Sequence, residues 1–92
     1  MSYSVTITID PADTGLQPGD TRLHDALMDL GYLDASPVFG ADDLDLVVVV
    51  ETWSLLAAVA DATAIVDRAL VAIGAGSARP VRVDAWLAGA AS

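Results

Sequence analysis

The chain has 92 residues, 13 acidic against four arginines with no lysine, no cysteine, and a formal charge of -9. This composition excludes disulfide scaffolds and thiolate chemistry, and it disfavours binding to nucleic acid phosphates or anionic lipid. With 54% hydrophobic residues the chain is too apolar to stay disordered.

Length and spacing predict a single domain over residues 1–92. A chain this short buries roughly 60 to 65% of the surface its unfolded form exposes, so association with another chain is a natural source of stability. Met1 to Ser4 carries no basic residue before an apolar run, which does not read as a signal peptide, and a cytoplasmic location is expected. The apolar region from Leu55 to Gly76 is interrupted by Asp61, Asp67 and Arg68 and reads as a soluble helix, not a membrane span. Twelve of the 13 acids are aspartate. That preference, with Arg but no Lys, also resembles the codon usage of a GC-rich genome, which would need no functional cause.

Tyr3, Val5, Ile7 and Ile9 alternate with Ser4, Thr6, Thr8 and Asp10, the period of a strand with one buried face. Asp10-Pro11 ends it, and the segment up to Gly19 reads as a loop. Asp20 or Thr21 can cap a first helix that buries Leu23, Ala26, Leu27 and Leu30 and stops at Gly31. Tyr32 to Phe39 reads as a second strand, placed at a sheet edge by Pro37, which cannot donate to a ladder. Gly40 to Asp43 has turn chemistry, and Leu44 to Glu51 follows as a third strand. It is apolar on both faces, with Leu44, Leu46, Val48 and Val50 on one and Val47 and Val49 on the other. Thr52 or Ser54 can cap a second helix with Leu55, Val59, Ala62, Val66, Ala69, Leu70 and Ile73 on its buried stripe, ended by Gly74 and Gly76. Val81, Val83, Ala85 and Leu87 then alternate with Arg82, Asp84 and Trp86 as a fourth strand.

The order βαββαβ resembles the ferredoxin-like fold. The resemblance implies an α+β domain with a four-stranded antiparallel sheet in the order 4-1-3-2 and two helices on one face. It places the first and third strands centrally, which suits a third strand that is apolar on both faces.

Few residues could carry chemistry. His24 is the only histidine, so a general-base reading must start there, with Asp20 and Met28 one helical turn either way. Asp42, Asp43 and Asp45 offer oxygen ligands but read as a hydrated hairpin tip, and Asp10, Asp13 and Asp20 lack the spacing of a calcium loop. Gly74-Ala75-Gly76 follows a helix instead of preceding one, the wrong dipole end for a phosphate. Ser36, Ser54 and Ser77 lack the surroundings of a nucleophile elbow. No catalytic residue, metal or cofactor is expected.

The register puts Thr6, Thr8, Val47, Val49, Arg82 and Trp86 on the sheet face opposite the helices, where interface-type groups await cover. The leading expectation is therefore a non-enzymatic interaction module that forms a homodimer or joins a larger hetero-complex through this face, without nucleic acid or membrane. Trp53 is expected to staple the start of the second helix. Glu51-Thr52-Trp53-Ser54 also resembles the strand-to-helix junction of small dimeric α+β barrel proteins. That resemblance implies an alternative, an enzyme or small-molecule sensor with a pocket between sheet and helices tested at His24, Trp53 and Trp86. A third reading, an acidic inhibitor mimicking nucleic acid, requires the aspartates to cluster on one face.

Overall fold

The computed structural model describes residues 1–88. Its elements run β1 (Ser2–Ile9), a 3₁₀ turn (Pro11–Asp13), α1 (Arg22–Asp29), β2 (Ala35–Phe39), β3 (Leu44–Glu51), α2 (Leu55–Ala72) and β4 (Pro80–Leu87). The four strands form one antiparallel sheet in the order β2-β3-β1-β4. Read from the other edge this is the 4-1-3-2 order expected from the sequence. With both helices contributing to one core, the arrangement fits a ferredoxin-like fold at the level of topology.

Alternation in the two central strands decides which face is buried. Val5, Ile7 and Ile9 of β1 stand opposite Val48, Leu46 and Leu44 of β3, and all six are essentially inaccessible. Against them pack Leu23 and Leu27 of α1 and Ala58, Ala62, Val66, Ala69 and Leu70 of α2. The alanines let the α2 backbone approach the sheet closely, and a cleft of about 370 Å³ lined by Ile7, Val66, Leu70 and Ala78 remains between α2 and the β4 side of the sheet.

The helix ends follow their local chemistry. Ser54 caps α2, its Oγ accepting from the Ala57 N–H at 3.1 Å, which leaves Thr52 without that role. Thr21 occupies the α1 cap position but makes no side-chain cap bond. Asp20 instead accepts from the Arg22 N–H at 2.9 Å. Both helices close with a glycine in the left-handed region, Gly31 at φ 86° and Gly74 at φ 81°. In each case the next residue reaches back: Tyr32 N–H to the Leu27 carbonyl at 2.9 Å, and Ala75 N–H to the Leu70 carbonyl at 2.8 Å.

The structure corrects several sequence expectations. β2 begins at Ala35, not Tyr32, because Tyr32 completes the α1 terminus. Within the expected loop, Pro11–Asp13 forms a 3₁₀ turn, capped by the Asp10 carboxylate accepting from the Ala12 N–H. Leu30 and Leu55 are exposed, not core, since each sits at a helix end beyond the sheet's reach. Trp53 does not staple α2; it is 84% exposed.

Ile7 is fully buried beside both Leu46 and Val83. Ile7→Ala is expected to lower the free energy of unfolding by about 2 to 5 kcal/mol, enough to unfold much of a small domain. Urea titration followed by circular dichroism measures this directly. Ser54→Ala should cost only about 1 kcal/mol in the same assay.

Candidate functional site

The face opposite the helices is built from three cross-strand rows. Val49, Ser4 and Trp86 form one row across β3, β1 and β4. Val47, Thr6 and Asp84 form the next, extended by Ser36 on β2, and Asp45, Thr8 and Arg82 form the third, extended by Val38. All six residues placed on this face from the sequence, Thr6, Thr8, Val47, Val49, Arg82 and Trp86, lie on it together. Val49 and Trp86 are 43% and 51% exposed. No helix of the described residues covers them.

Sequence reasoning missed how polar the middle of this face is. β1 presents a column of hydroxyls, Ser2, Ser4, Thr6 and Thr8, that separates the β3 valines from Trp86. The signal was present in the alternation of β1, whose even positions are all Ser or Thr. The Thr8 hydroxyl donates to Asp45 Oδ1 at 2.6 Å, and Thr8 is buried. Ser2 donates to Glu51 Oε2 at 3.1 Å. Arg82 Nε lies 2.9 Å from Asp84 Oδ2, so the cation on the face is paired along its own strand. Val38 adds a further exposed valine, visible only once the β2–β3 register is known.

The surface is flat, with hydroxyls at the centre, valines on one flank and an aromatic on the other. Such a mixture suits a protein partner: interfaces combine aromatic and aliphatic anchors with satisfied polar groups.

His24, Trp53 and Trp86 are not brought together. His24 and Trp53 are exposed, on α1 and at the β3–α2 junction, whereas Trp86 stands on the open sheet face. The principal grooves are lined by other residues. The carboxylate one turn before His24 is engaged elsewhere: Arg22 donates to Asp20 through Nη2 at 3.0 Å and through Nε to both oxygens at 3.2 Å. Among the described residues no three His, Cys, Asp or Glu side chains are placed to hold a metal ion. Nor is any helix of the described residues long and apolar enough to cross a membrane.

A second exposed apolar group was not foreseen. The Thr52 N–H donates to the Met1 carbonyl at 2.9 Å, which places Met1 next to the β3–α2 junction where Trp53 and Leu56 stand in solvent. Three of the 13 acids stand at the opposite end of the sheet: Asp10 follows β1, and Asp42 and Asp43 form the β2–β3 hairpin tip.

The hydrogen bonds from the Arg22 side chain and backbone hold the Asp20 carboxyl below its ordinary titration range, and Asp20 in turn raises Arg22. Because the folded value is depressed, this pair contributes stability above the ordinary aspartate range and loses it as pH falls through the folded midpoint. Arg22→Ala should move the Asp20 midpoint upward, as read by carboxyl NMR titration. The effect on stability should be small because both groups are in solvent. A scan against protein-family models and a search of curated proteins each find no match to this chain.

Proposed function

We propose that the protein is a non-enzymatic interaction module, a ferredoxin-like domain whose open sheet face docks on another protein chain. The observation that carries this reading is the row of Val49, Ser4 and Trp86, an exposed aliphatic and an exposed aromatic group either side of a hydroxyl on a sheet face that no helix of the described residues covers. Burying such groups stabilises a complex by roughly 25 cal/mol per Å² of apolar area, and two of the hydroxyls on the face already have carboxylate partners, Thr8 with Asp45 and Ser2 with Glu51. The charge of -9 favours a partner with a basic surface, and association with it should weaken as salt rises. The lack of cysteine fits a reducing, cytoplasmic setting.

The alternative of a small-molecule enzyme or sensor has less support, because His24 and Trp53 stand in solvent and neither they nor Trp86 lines the cleft between α2 and the sheet. Mimicry of nucleic acid has less again, since the aspartates are divided among both helices, several loops and the hairpin tip.

Substitution on the face tests the reading. Val49→Asp and Trp86→Ala should leave the unfolding free energy within about 1 kcal/mol of the parent, as expected for surface positions. Each should reduce complex formation, measured by light scattering for self-association and by titration calorimetry against a candidate partner. Unchanged binding by both variants would refute the sheet face as the docking surface.

A further inference from the structure

The sheet has two free edges, and they differ. β2 is short and carries Pro37, the usual means of blunting an edge. β4 runs for eight residues, has proline only at its first position, and takes β1 as its single neighbour in the sheet. A register shift between Thr8 and Ile9 distorts only the start of β4, leaving Arg82 to Leu87 in regular pairing with β1. Among the described residues no strand pairs with the outer side of that stretch, which makes it a template for another strand.

Two further observations identify the strand that fits. First, Arg82 and Asp84 share a face and flank Val83 symmetrically, with opposite charge. Second, α2 reaches β4 but leaves a gap beside it on the helix side. Val83 is 40% exposed although its cross-strand neighbour Ile7 is fully buried, and a groove of about 370 Å³ runs between α2, at Ala60, Ala64 and Asp67, and the Arg79-Pro80 end of β4.

We propose that β4 pairs antiparallel with β4 of a second copy of this chain, about a two-fold axis through Val83, joining two sheets into one of eight strands. In this register each Arg82 stands opposite the second copy's Asp84, and the two Val83 side chains meet on the helix side. Slipping the pairing by two residues sets Arg82 against Arg82 or Asp84 against Asp84, which like-charge repulsion disfavours. The edge strand is locally neutral, so two strongly acidic chains meet where neither carries excess charge. The centre of the open sheet face stays uncovered in this arrangement; only Arg82 and Asp84 at its β4 margin are shared with the proposed docking surface, and Val49→Asp separates the two readings.

The chain has no cysteine, so a single introduced thiol reports on the pairing. Residues facing each other in an antiparallel pair have Cα atoms about 4.5 to 5.5 Å apart, within reach of a disulfide. Val83→Cys should therefore give a covalent dimer under mild oxidation. Val81→Cys should not, although Val81 is the more exposed at 67%, because the register sets it opposite Ala85 and leaves the two thiols about 13 Å apart. At least tenfold faster cross-linking of Val83→Cys, still present when Val49→Asp is added, is the expected result. Equal rates, loss of the cross-link with Val49→Asp, or no cross-link from either variant would overturn the proposal.

A second measurement guards against misfolding of the thiol variant. Arg82→Asp and Asp84→Arg should each dimerise roughly three- to tenfold more weakly than the parent in sedimentation equilibrium. Mixed together they should pair with each other at parental affinity, since the mixed pair restores both charge contacts and the total charge of two parental chains. No preference for the mixed pair, or a parental chain that is monomeric throughout, would also overturn it.

Discussion

Two helices and four strands in a chain of this length can cover one face of the sheet and no more. The covered face is set by the row of Val5, Ile7 and Ile9 against Val48, Leu46 and Leu44. These side chains have no access to solvent, and the positions of both helices follow from burying them. The small residues of α2, Ala58, Ala62 and Ala69, complete that layer at close range.

The opposite face inherits the other half of each strand's alternation. In β1 that half is Ser2, Ser4, Thr6 and Thr8, and in β3 it is Asp45, Val47, Val49 and Glu51. The polar members satisfy one another, Thr8 with Asp45 and Ser2 with Glu51, so the face keeps no unmet hydrogen-bonding demand among these pairs. Every buried side-chain polar atom of the described residues has a partner. A face in that state offers van der Waals contact and exclusion of water, which is what the proposed docking would use. The histidine that a catalytic reading would need stands on the far side of the molecule from Trp86, with its nearest carboxylate in sequence register held by Arg22.

What could be read from particular residues divides by the range of the interaction involved. β1, β3 and β4 were legible because their periodicity is local and strong, and Gly31 and Gly74 marked helix ends because only glycine adopts that backbone without strain. The start of β2 was not legible, since Tyr32 belongs to a helix terminus whose reach depends on where the Leu27 carbonyl points. Leu30 and Leu55 satisfy helical spacing as well as Leu23 does, yet they lie at helix ends where the sheet has run out. Trp53 followed the pattern of a helix staple, but its partner position, Ala58, is already buried against the sheet and presents no surface to it.

The sequence by itself determined the element order, the core alternation and the six residues of the open face, because each depends on a period of two or of 3.6 residues along the chain. Tertiary structure alone decided the rest. Strand pairing across 30 to 80 residues set Val49 beside Ser4 and Trp86, interposed the hydroxyl column of β1, and joined Thr8 to Asp45. It also left β4 as an unblunted edge with Val83 half-covered, since a cleft separates part of α2 from the Arg79-Pro80 end of that strand.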